Sequence, residues 1–236
     1  TFLNRMDNIN TYQIEQLDAL QQVQKHLAQM VPNKRAGLMK LIQPYLAFRE
    51  DLQLFLDAHL GQFCAQACFS SQSSACCSKD GIIIFWADVV INACCCTDAA
   101  LSGLISAVKK PLYDNKCIYL GSDGCIWKVT PLVCAMFVCD QAQADAINQN
   151  PMLHRSWDRY RKQAKAFRWP DRPVLFDQLE EMFIDLGCQS ALMYINSSPG
   201  LRQIKKRAGL MKGVSRNSTR ISTRISNRSG KYPRTR

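Results

Sequence analysis

Histidine is nearly absent, with three in 236 residues at His26, His59 and His154. That scarcity argues against imidazole-rich metal sites and leaves a nucleophilic cysteine short of its usual base. The chain also has no P-loop, no GxGxxG, no GxSxG and no HExxH, so nucleotide, dinucleotide, serine-hydrolase and zincin chemistries lose their usual signatures. No run of 18 apolar residues occurs, because the best candidate, residues 82–93, is interrupted by Asp88 and Asn92, so no membrane span is expected. The first ten residues lack the basic, apolar and small-residue zones of a secretory leader. The expectation is a cytoplasmic, reduced protein. Acidic residues are missing from 201–236, which hold twelve Lys or Arg, while 1–200 hold 18 bases and 19 acids. The body is near neutral and the tail carries the basic excess.

Against these absences stands an abundance of cysteine: twelve residues, eleven of them between Cys64 and Cys139. Eight form two spaced groups, Cys64-x3-Cys68-x7-Cys76-Cys77 and Cys117-x7-Cys125-x8-Cys134-x4-Cys139, with Pro131 three residues before Cys134. In a reducing compartment, clustered thiols are more often ligands than bridges, and eight suffice for two four-thiolate sites. Soft thiolates select zinc, copper(I) or iron-sulfur clusters. Cysteine spacing alone does not separate zinc from iron-sulfur. The competing reading is that several of these thiols are buried small hydrophobes, and it is the preferred one for Cys94, Cys95, Cys96 and Cys188. Neighbouring side chains of an extended segment point to opposite faces, so Cys76 and Cys77 either feed two sites or one of them packs. No four thiols within one segment have tight paired spacing, so the two groups are expected to converge on shared ions.

The order Cys117, Gly124-Cys125, Pro131-x-x-Cys134, Cys139, with the upstream Cys76-Cys77 pair, resembles a zinc- or iron-chelating cysteine-cluster family of CxxCxxCC type. That family also contains the flagellin lysine N-methylase. Here the upstream spacings are x3 and x7 where the family signature has x2 and x2. The likeness spans about residues 60–140, and stretches near Trp169-Pro170 and Ser198-Pro199 are also similar to those of cysteine-cluster proteins. What the resemblance implies is metal chelation, without specifying a reaction. The leading expectation is therefore a metal-binding protein whose zinc or iron, as ion or iron-sulfur cluster, is structural. One alternative is an iron-sulfur protein-modifying enzyme such as a protein N-methylase, acting on a protein partner. A radical enzyme using S-adenosylmethionine would want CxxxCxxC, of which Cys64 and Cys68 supply only the first two members. A second alternative is binding of nucleic acid, or an anionic membrane, through the basic tail, with no dependence on the thiols.

The expected fold is α+β and mainly helical: an N-terminal helical hairpin, a small cysteine-rich β-hairpin and loop metal core, and C-terminal helices. Ile14, Leu17, Leu20, Val23, Leu27 and Met30 recur at helical steps, with Asn10 and Gln13 as a capping pair. Pro32 and Asn33 should break this helix, and a second should run from about Ala36 to Leu60, with Pro44 its start or a kink. Residues 61–80 read as an irregular loop carrying the upstream thiols. Ile82–Phe85 reads as a short strand and Ala87–Val108 as helix. A turn at Gly121–Gly124 should pair Ile118–Leu120 with Ile126–Val129. Helices are expected at about Pro151–Ala166 and Val174–Leu186, the latter closed by Gly187. Asp177 and Glu180 near its start are read as a solvated face favouring the helix dipole, and Phe167, Trp169, Phe176 and Phe183 as core. Residues 1–212 should form a single domain with its cysteine core at 61–140. Residues 213–236, with their tandem Ser-Thr-Arg-Ile repeat, should be a disordered basic tail. Arg35–Lys40 recurs unchanged at 207–212, and no physical account of this repeat is evident.

Overall fold

The computed structural model describes residues 9–64, 84–111, 117–121, 124–168 and 174–193. It is mainly helical. Asn10 caps α1 (Thr11–Gln29) with a reciprocal box: its side chain accepts from the Gln13 amide at 2.8 Å, and the Gln13 side chain accepts from the Asn10 amide at 3.1 Å. Leu17, Leu20, Val23 and Leu27 form its buried stripe, whereas Ile14 is 46% exposed. Pro32 does not simply end this helix. It occupies the first position of α2 (Pro32–Cys64), where its missing N–H costs nothing, and α2 continues through Pro44.

The expected hairpin of these two helices does not form their main packing. The stripe of α1 lies instead on α3 (Trp86–Cys95) and α4 (Asp98–Val108), while α2 packs against α7 (Pro151–Arg168) and α8 (Leu175–Asp185). Amphipathic periodicity identifies the buried face of a helix but not its partner. Gln13 reinforces the α1–α4 contact. Its side-chain amide donates to the carbonyls of Val108 at 2.9 Å and Lys110 at 2.7 Å, serving acceptors that the end of α4 leaves without helical donors.

The central element is α3. Trp86 through Ala93 are all buried, so this helix is covered on every side, by α1 on one flank and α8 on another. Trp86 meets Phe183 edge-on at 5.7 Å, and Phe85 meets Phe176 at 5.8 Å. Ile84 and Phe85 are not strand, in contrast to the expectation for 82–85, whose first half lies outside the described residues. Helix formation resumes after Cys96 because the Thr97 hydroxyl accepts from the Ala100 amide and starts α4.

Strand pairing among the described residues is confined to β1 (Leu120–Gly121) and β2 (Gly124–Cys125), antiparallel with Leu120 opposite Cys125. The expected strand at Ile126–Val129 is irregular instead: the Ile126 amide donates to the Tyr119 carbonyl at 3.0 Å, but the backbone of Val129 pairs with the Asn92 side chain of α3. Two short turns follow, α5 (Leu132–Ala135) and α6 (Asp140–Ala142), the latter running into a π-turn at Gln143–Ile147. Helix α8 ends at Gly187, in the left-handed conformation at φ 87°, as expected. Phe176 and Phe183 are core and Phe167 packs against it; Trp169 lies outside the described residues. Asp177 and Glu180 depart from the reading as a solvated face. They are 2% and 0% exposed, because α8 contacts α2, α3 and α7 and so has little free surface.

Candidate metal centre

Cys117 precedes β1, Cys125 ends β2, Cys134 lies in α5 and Cys139 caps α6. The Cys117 thiol accepts from the Tyr119 amide at 3.4 Å, and the Cys139 thiol accepts from the Ala142 amide at 3.5 Å. Tyr119 ties the segment after Cys117 to the body. Its hydroxyl donates to the Gln16 side-chain oxygen at 2.6 Å, fixing the segment to α1, and its ring meets Trp127 edge-on at 5.2 Å. The Tyr119 phenol is pushed strongly up by burial first, then by the negative charge of Cys117, Tyr12 and Cys125. Tyr12, one turn earlier on α1, is raised by burial and, more weakly, by Cys134 among other acidic neighbours, while its hydrogen bond to Ile84 acts the other way. Three downstream thiols therefore act on one pair of tyrosines.

The Tyr12 hydroxyl also accepts from the Ile84 amide at 2.9 Å. Ile84 is the first described residue after 65–83, the stretch of sequence that carries Cys68, Cys76 and Cys77. These three residues lie outside the described residues, as does the side chain of Cys64 at the end of α2. Among the described residues, no three Cys, His, Asp or Glu side chains converge in a way that could hold an ion. Cys117, Cys125, Cys134 and Cys139 thus do not form a complete site by themselves. His59 is exposed and packs on Phe55, while His154 lies beside Asp158 on α7. His26 is half-buried against Phe183.

The segment leading to Cys134 is held by buried polar side chains. Asp88, on α3, accepts from the Leu132 amide at 3.1 Å with one oxygen and from the Phe85 amide at 3.0 Å with the other. One turn further along α3, Asn92 accepts from the Val129 amide at 2.9 Å and donates to the Val129 carbonyl at 2.7 Å, the two-point pairing of a neighbouring strand. Arg49, on α2 and 6% exposed, donates to the Thr130 carbonyl at 2.5 Å and to the Tyr45 hydroxyl at 3.0 Å. Each buried donor or acceptor so matched avoids a penalty of about 1–3 kcal/mol. None of these anchors is evident from sequence alone. The one signal there is Asp88 and Asn92 themselves, two polar residues one helical turn apart in an otherwise apolar run.

Cys94, Cys95 and Cys96 stand apart at the end of α3. Burial pushes the Cys94 thiol up to about 12, and burial likewise raises Cys95 and Cys96. Cys188 is 1% exposed and is pushed up to about 11 by burial and by Asp18. Such thiols stay protonated and are poor ligands without a metal to displace the proton. No helix among the described residues is long and apolar enough to cross a membrane. No protein-family model, curated protein or solved structure matches the chain. The likeness to the cysteine-cluster family accordingly rests on the order of the cysteines.

Proposed function

We propose that the chain is a metal-binding protein in which Cys117, Cys125 and Cys134, with Cys139 at the margin, complete a thiolate site together with Cys64, Cys68, Cys76 and Cys77. The observation that carries this reading is Tyr12. Its hydroxyl accepts from the amide of Ile84, seven positions after Cys77 in the sequence, and the charge of Cys134 raises its phenol, while Cys117 and Cys125 raise that of Tyr119. Tyr12 thus touches the first described residue after the upstream thiol stretch and feels the charge of a downstream thiol. The donor set fits a soft ion: thiolates gathered at one place repel one another, and a bound zinc or iron would supply the positive charge that offsets this. The metal's contribution would be folding free energy, by tying the loops to the helical body.

Metal analysis of anaerobically purified protein, with its visible spectrum, tests the reading. Zinc would appear in the analysis without colour, and an iron-sulfur cluster would appear as iron, sulfide and visible absorption. Cys125→Ser and Cys134→Ser are each expected to lower metal content, whereas Cys188→Ser should keep the stoichiometry although it buries a hydroxyl. Metal-free wild-type protein, or equal metal loss in Cys188→Ser, would overturn the assignment.

A further inference from the structure

Helix α7 concentrates charge that the rest of the body lacks. Arg155, Arg159, Arg161, Lys162, Lys165 and Arg168 all lie on it, all exposed, against a single acid, Asp158, which is 3.6 Å from Arg161. Outside α7, the first 200 residues hold twelve bases and eighteen acids. The body is therefore polarised, with one positive helix on a negative remainder. At 100° per residue the six bases span an arc over the half of the helix that Trp157, Tyr160 and Ala164 leave free, with Arg155 and Lys162 opposite these buried residues and Arg161 and Arg168 beside them. Arg161, Lys165 and Arg168 stand one and two turns apart along one edge of this arc. There they line a recess of about 290 Å³ whose floor includes Met136 and Ala164.

We propose that α7 is a docking surface for the phosphate backbone of duplex nucleic acid. A helix of 18 residues is about 27 Å long, so the basic arc spans several successive phosphates rather than one. Clustered bases along one helix face are the electrostatic footprint of such binding. A lipid surface fits less well, because an interfacial helix inserts exposed apolar side chains, and Met152 is the one large exposed hydrophobic on α7. Single-strand binding relies on aromatic platforms, and both Trp157 and Tyr160 are turned into the body. Recognition is thus of phosphates and independent of base sequence.

The test is titration of full-length protein into a fluorescent duplex DNA of random sequence over a range of salt, with circular dichroism as the fold check. Two triple variants remove α7 charge, R161Q/K165Q/R168Q along the recess and R155Q/R159Q/K162Q along the outer arc. A third, R216Q/R220Q/R224Q, removes the same charge from the C-terminal segment. Each α7 variant is expected to weaken binding roughly ten- to a hundredfold near 0.1 M salt and to lower the salt slope by about one for each phosphate left without its base. The C-terminal variant should weaken binding less. Because Arg168 acts electrostatically on buried Asp88, the outer-arc variant decides the matter if the recess variant misfolds. An equal or greater effect of the C-terminal variant would overturn the proposal. So would α7 variants that no longer bind phosphatidylserine vesicles while binding duplex DNA as the wild type does.

Discussion

Asp88 is wholly buried, and burial lifts its carboxyl to about 6 from an ordinary 3.8, against the opposing pull of the Phe85 and Leu132 amides and Arg49. Between these values the folded chain holds a proton that the unfolded chain has lost. Stability contributed by this group is therefore greatest below about pH 4 and declines as pH rises through 6, by about 3 kcal/mol in total. Urea midpoints of wild type and Asp88→Asn at pH 4.5 and 7 check this. The wild type should lose the Asp88 contribution on going to pH 7, and the variant, which has no carboxyl to ionise, should lack that component. Asn92 offers a complementary case without titration. Asn92→Ala strips both partners from Val129 and is expected to destabilise by about 2–3 kcal/mol, measured by denaturant unfolding. A change below about 0.5 kcal/mol would mean that water replaces the side chain.

At the scale of elements, the end of α8 turns on one backbone conformation. Gly187 sits at φ 87° with open space where a Cβ would go. Gly187→Ala should therefore cost about 1–2 kcal/mol from left-handed backbone alone and lower Tm by a few degrees. This closure was legible in sequence, as were the Asn10–Gln13 box and helices α7 and α8, because caps and periodicity act over three or four residues. What stayed illegible was long-range. Nothing local tells α1 to pack on α4 rather than α2, or tells Arg49 to meet Thr130, 81 positions away. The same distinction divides the candidate site. The order of the thiols can be read along the chain, whereas Tyr12 acquires its place beside Ile84 only in the folded chain. Asp177 and Glu180 fail as surface residues for the same reason, since three other helices cover α8.

For the whole molecule, charge and apolar content are divided between body and tail. Residues 213–236 carry much of the basic excess but few apolar side chains. Their removal is expected to leave Tm and metal content nearly unchanged while lowering the net charge. A markedly earlier melt of the shortened chain would count against this division. If the proposed metal ties the thiol segments to the body, a chelator should instead lower Tm.

The grip on residues 129–132 also orders events in time. Its three hydrogen-bonded anchors close chain loops of 37, 44 and 81 residues, from Asn92, Asp88 and Arg49 respectively. Their partners are side chains of α2 and α3, so the clasp cannot form until those helices are assembled around the core. Pairings of such sequence separation are made late, after shorter-range structure has reduced the entropy of closure. Asn92→Ala should accordingly speed unfolding while leaving the folding rate nearly unaltered, which stopped-flow kinetics would reveal. During synthesis, Cys117 to Cys139 would then remain open to the solvent until the helical body has closed, and the ion would be the last component to arrive.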